Sequence, residues 1–112
     1  MPLLQITTNI SIEDSSVYAK NASRIVADML GKPESYVMVM VNADTSLVFA
    51  GSEDSCAHLK LKSLGLDESR TADYSAQLCN FIQNTLDIPA ARIYIEFSSP
   101  ERHMWGWDSK TF

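Results

Sequence analysis

Apolar and polar residues follow two rhythms along this chain, and each rhythm occurs twice. Residues 2–8 are apolar and β-prone and predict a strand. Asn9 to Ser11 turns the chain. Tyr18, Ala22, Ile25, Val26, Met29 and Leu30 then recur at helical spacing and predict a helix over 12–30. Ser11 is its predicted cap, with Glu13 and Asp14 in the first turn. Gly31 and Pro33 end it. The continuous apolar run 36–41 predicts a strand covered on both faces, and 47–50 predicts a shorter one before Gly51.

The second half repeats this order. Residues 57–63 (AHLKLKS) alternate as a half-exposed strand does, and Gly65 breaks the pattern. A helix is predicted over 68–86, with Asp67 as its cap and Leu78, Phe81, Ile82, Thr85 and Leu86 on its buried side. Pro89 interrupts it, and Ile93 to Phe97 predicts the next strand. GKPESYVMVMV after the first helix matches LDIPAARIYIEF after the second in rhythm. Two β-α-β units predict an α+β fold, a four-stranded mixed sheet with both helices on one face. The central strands look apolar at nearly every position, and no further chain is left to cover the other face. A second copy of the protein is therefore expected there, as a homo-oligomer.

Composition narrows the function classes. With 112 residues, 46% of them hydrophobic and 21% charged, the chain is expected to form one domain over 1–112. A net charge of −5 argues against nucleic acid or an anionic membrane as partner, because both select basic surfaces. An anionic substrate would need local cations. No run reaches the length of a membrane span, and MPLLQITTNI lacks the basic start of a signal peptide, so a cytoplasmic location is expected. Cys56 and Cys79 lie apart from any metal-ligand pattern and are expected as buried, reduced thiols. His58 and His103 lack partners at metal-ligand spacing. No phosphate-cradling glycine motif or nucleophile elbow occurs, so neither metal nor cofactor is expected.

A few residues could carry chemistry. Pro2 by itself is an ordinary residue at the mouth of a strand. If Met1 is removed, however, its ring nitrogen becomes a secondary amine of fixed geometry. Burial beside a cation would then bring that amine into the range of a general base. Lys32 sits in a constrained turn between Gly31 and Pro33. It could suit the helix dipole or hold a carboxylate. Ser63 and Leu64 end the alternating strand and could offer a hydroxyl and a backbone N–H. Trp105, Trp107 and Phe112 could line an aromatic pocket or pin the tail to the surface.

Together these residues are similar to the macrophage migration inhibitory factor family and its tautomerase relatives, over the whole chain. The resemblance rests on Met1-Pro2, Gly31-Lys32-Pro33 with Tyr36, Cys56-Ala57, Ser63-Leu64-Gly65, Tyr74-Ser75, Arg92 to Ile95, Gly106-Trp107 and Thr111-Phe112. It implies a homotrimer whose three sheets form a central barrel, with active sites between subunits. It implies that the Pro2 amine moves a proton between oxygen and carbon of a 2-keto acid such as phenylpyruvate. Lys32 and the Leu64 N–H would hold substrate oxygens. Ser63, Tyr36, Tyr94, Trp107 and Phe112 would shape the pocket, Tyr94 reaching in from a neighbouring subunit.

The chain departs from the family pattern at named positions. Glu96 stands where the best-known members have asparagine, Lys62 where they have histidine, and Trp105 where they have a smaller aliphatic residue. Leu59 replaces the second cysteine of the family's redox pair, so no thiol–disulfide activity is expected. Two further functions compete with the tautomerase one. One is a secreted, cytokine-like ligand for a cell-surface receptor, released without a signal peptide. The other is a dehalogenase or 4-oxalocrotonate tautomerase relative, disfavoured because residues 3–9 contain no arginine.

Overall fold

A computed structural model describes residues 1–112. Four strands, β1 (Pro2–Thr8), β2 (Met38–Asn42), β3 (Ala57–Ser63) and β4 (Ile93–Ser98), form one sheet in the order β2-β1-β3-β4. β1 is parallel to β2, antiparallel to β3, and β3 is parallel to β4. Helix α1 (Ser15–Leu30) connects the first parallel pair and α2 (Thr71–Leu86) the second. The α+β architecture of two β-α-β units is therefore as the sequence predicts.

The period of two sorts each strand's residues between faces. Leu4 and Ile6 of β1 lie beside Leu61 and Leu59 of β3, and all four are buried. Val39, Val41, Ile95 and Phe97 extend this layer to both edges. Tyr18, Ala22, Val26 and Met29 of α1 and Tyr74, Leu78 and Ile82 of α2 join it in a core of 15 buried residues. The helices meet where Tyr18 packs on Phe81, ring centroids 5.4 Å apart, and shares a 2.6 Å hydrogen bond with the Thr85 hydroxyl.

The other face of the sheet is not the apolar surface expected. β3 presents His58, Lys60 and Lys62 there, opposite Thr7, Gln5 and Leu3 of β1. The apolar part is concentrated on edge strand β2, where Met38 is 64% exposed and Met40 44%, and at Tyr94 of β4. Glu96, also on this face, pairs with His58.

Several element ends differ from the sequence reading. α1 starts at Ser15 because Asp14, not Ser11, caps it and accepts a 3.1 Å hydrogen bond from the Val17 N–H. The Ser11 hydroxyl donates instead to Asp44. Ile25 lies at the exposed margin of α1. Asp67 caps a separate 3-10 turn, Glu68–Arg70, before α2 proper begins. On α2, Thr85 is exposed, Phe81 and Leu86 are half-buried, and Tyr74 fills the core position. Tyr36 ends a 3-10 turn, Glu34–Tyr36, so β2 begins only at Met38.

The strand expected at 47–50 is absent. Positive φ angles at Asp44, Ala50 and Gly51 fold this stretch into a loop, with one isolated bridge between Phe49 and Ser52. Arg92 holds the loop by donating to the carbonyls of Phe49, Ser52, Asp54 and Ser55 at 3.0 to 3.2 Å. Cys56 is buried, but Cys79 is only partly so, and both are free thiols.

Candidate active site

The start of β1 sets the position of Pro2. Its register partner is Ser63, the last residue of β3, and both are almost fully buried. A pocket of about 530 Å³ opens beside them. Its wall combines Met1 and Pro2 with Tyr36 from the 3-10 turn, Lys62 from β3, and Trp105 and Trp107 from the tail. Most of the lining is apolar, with 8 hydrophobic residues among 12.

The turn after α1 places Tyr36 on this wall and Lys32 near it. Gly31 closes the helix at φ 64°, a left-handed conformation that glycine adopts without strain. The Lys32 N–H donates to the Ala27 carbonyl at 3.0 Å. Pro33, at φ −60°, then starts the turn that ends at Tyr36. The same skeleton recurs after α2. Asp87 takes φ 56°, Pro89 takes φ −59°, and a 3-10 turn ends at Arg92. In the second copy, buried Ile88 occupies the place of Lys32, and Arg92 that of Tyr36. Equivalent positions thus serve the core and a loop in one unit, through Ile88 and Arg92, and place Tyr36 on the pocket wall in the other.

The tail builds the opposite wall. β5 (Gly106–Trp107) and β6 (Lys110–Thr111) form a hairpin. Its two connecting residues, Asp108 and Ser109, both have positive φ, as the tightest hairpin turns require. Trp107 stacks on Phe112 with centroids 6.0 Å apart and meets Tyr36 edge-on at 6.4 Å. The Phe112 N–H donates to the Trp105 carbonyl at 3.2 Å, which folds the chain end back onto the hairpin. Phe112 thus supports Trp107 from behind, and is not itself on the pocket wall.

Lys32 and Ser63 do not line this pocket. They border a second, adjoining one of about 330 Å³, with Gly65, Asp67, Arg70 and Tyr74. Lys32 is nevertheless close enough to act on the chain terminus. Burial first, and the Lys32 ammonium second, hold the Met1 amine below its ordinary value. Leu64 is buried directly after Ser63, and its side chain lines neither pocket. Tyr94 lies elsewhere. It pairs with His58, five residues along β3 from Ser63, or roughly 17 Å at the usual strand rise. There its ring packs on Phe49 with centroids 4.7 Å apart.

The pocket also uses Met38 and Met104, which the sequence reading did not single out. The signal for Met38 was available in the alternation of 38–41, which turns its side chain away from the helices. For Met104 no periodic pattern points to the pocket, because it ends a single 3-10 turn, Arg102–Met104.

Comparison with known proteins agrees with this fold. The family model for macrophage migration inhibitory factor (MIF) matches residues 1–112. A macrophage migration inhibitory factor homolog of Brugia malayi is 42% identical, the match covering 100% of this chain and 99% of the relative. One from Trichinella spiralis is 38% identical over 100% of both chains. Among solved structures, the homologue from Prochlorococcus marinus superposes with a TM-score of 0.92 at 36% identity, covering 98% of each chain. The Trichinella spiralis structure gives the same TM-score at 37% identity, covering 98% of this chain and 99% of the other. Fold, full-length identity and the family model converge, and the chain belongs to the macrophage migration inhibitory factor family.

Proposed function

We propose that the protein is a keto–enol tautomerase of 2-keto acids such as phenylpyruvate, with the Pro2 amine as the base once Met1 is removed. The observation that carries this reading is the coincidence of three features at one point. Pro2 is buried, the chain terminus before it lies at the edge of a largely apolar pocket, and partial burial together with a nearby lysine depresses the terminal amine. While Met1 is attached, the Pro2 nitrogen is a peptide nitrogen and holds no basic lone pair. Removal of Met1 makes it a ring amine under the same two influences, in a more deeply buried position.

The proton bookkeeping is simple. The neutral amine takes the enol hydroxyl proton of phenylpyruvate as the carbonyl forms. The resulting ammonium returns a proton to the neighbouring carbon, which gives the keto acid and regenerates the amine. Lys32 is assigned the substrate's carboxylate, with Ser63 and the Leu64 N–H beside it. Tyr36 and Trp107 hold the aromatic ring. Tyr94 is assigned to the pocket of a neighbouring copy in a homotrimer, since it is remote from the Pro2 of its own chain.

The test compares phenylpyruvate turnover by three forms: the Met1-free protein, the same chain with Met1 retained, and Pro2→Gly. General acid–base catalysis is worth about 10² to 10⁴ in rate, so the last two should lose at least about a hundredfold. Undiminished turnover by Pro2→Gly would sink the assignment.

A further inference from the structure

The one charged side chain on the wall of the Pro2 pocket is Lys62, not Lys32. It lies on the face of β3 turned away from the helices, opposite Leu3. Its ammonium sits 5.3 Å from the centre of the Trp105 ring. No carboxylate of the chain pairs with it. The carboxylates in contact with basic side chains are Glu96 with His58, Asp73 with Arg70 and Glu101 with His103, and Glu96 is thus engaged elsewhere. An unpaired cation is therefore held on an aromatic face at the edge of a mostly apolar pocket.

That arrangement suits recognition of an anion. A lysine stem free in solvent loses rotamer freedom when it binds, and contact with a flat ring restricts it beforehand. The apolar surroundings strengthen the attraction for a carboxylate that enters. Lys62 shares the pocket wall with Pro2, and Lys32, which borders the adjoining pocket, is near enough to act on the chain terminus, so two cations lie near Pro2. A 2-keto acid with a single carboxylate uses only one of them.

We propose that Lys62, steadied by Trp105, binds a second anionic group of the substrate, so that the preferred substrates are 2-keto acids carrying a further carboxylate. This rests on the tautomerase reading above. The Met1-free protein, Lys62→Met and Lys62→Arg are each assayed with 4-carboxyphenylpyruvate and phenylpyruvate, and the ratio of kcat/KM for the two is compared. The parent protein favours the dicarboxylate. In Lys62→Met the ratio falls by about tenfold, mainly through KM, as expected for one charge-assisted contact. Lys62→Arg restores part of it. No preference in the parent protein overturns the proposal, as does a ratio unchanged in Lys62→Met. An equal loss on both substrates also overturns it, because Lys62 would then hold the carboxylate common to both.

A binding arm separates this from failure of the tautomerase reading. Tryptophan emission is titrated with 3-(4-carboxyphenyl)propionate and with 3-phenylpropionate. If no 2-keto acid is turned over, a tighter dicarboxylate in the parent protein, lost in Lys62→Met, still supports the anion subsite. Equal affinities in both proteins overturn it.

Discussion

Lys32 influences the chain terminus through space, and the sign of that influence is testable. A cation beside an amine disfavours the ammonium form, and burial acts in the same direction. The base works in its neutral form, so kcat/KM falls as pH drops through the amine's pKa. The acid limb for phenylpyruvate should therefore lie below the ordinary chain amine value of about 8. Lys32→Gln removes the charge but not the burial, so the limb should move upward without reaching the ordinary value. KM should rise as well, through loss of the carboxylate's partner. A pH–rate profile of both proteins separates the two effects. Stability follows the same sign. An amine depressed in the folded state binds fewer protons than in the unfolded chain, so its contribution is present above about pH 8 and is lost as pH falls through the folded value. An acid limb that stays in place in Lys32→Gln would show that burial alone sets the amine.

At the scale of elements, the internal repeat was the most legible feature of the sequence. Strand positions β1, β3 and β4, both helices and the turn after each helix follow from hydrophobic period and from Gly31, Pro33 and Pro89. What the sequence concealed was local competition. Ser11 and Asp14 are both good caps, and the choice between them depends on Asp44, 33 residues away from Ser11. The run 47–50 has strand composition, but Arg92 gathers four carbonyls of the surrounding loop and excludes it from the sheet. Such long-range hydrogen bonds leave no periodic trace. The site was legible in part. Pro2, Tyr36 and Trp107 come together as proposed, while Lys32 and Ser63 border a separate pocket. The repeat also predicts opposite mutational signs at equivalent turns. A methyl group added at Gly31 meets nothing within 4 Å, so Gly31→Ala should cost only the left-handed backbone penalty, about 1 kcal/mol. Asp87→Gly relieves the same conformation at φ 56° and should be neutral or stabilising by about 0.5 kcal/mol. Thermal unfolding of the two variants checks both signs.

The whole molecule poses the question of what covers the outer face of the sheet. β2 is an edge strand with two exposed methionines, and such edges are natural pairing sites. The face is nevertheless too polar at β3 to be an ordinary core layer. The proposed closed ring of copies would reconcile the two, because it would bury the β2 edge and leave the lysine-bearing strands facing a shared interior. Sedimentation of the protein should give the mass of three chains, and Met40→Glu should shift it toward one. Tyr94 supplies a sharper test. It is roughly 17 Å along the sheet from the Pro2 of its own chain, so it can shape a pocket only in a neighbouring copy. Pro2→Gly should be inactive, and Tyr94→Ala should turn over phenylpyruvate poorly at low substrate concentration. If the two are unfolded together and refolded as mixed trimers, some sites will combine Pro2 from one chain with Tyr94 from the next. With random assembly about one site in four is then intact, because each of its two residues comes from an independently drawn chain. Activity should therefore exceed the average of the two variants refolded separately. Simple averaging would mean that Tyr94 does not act on the Pro2 of a neighbouring chain, and its assignment to that pocket would fall.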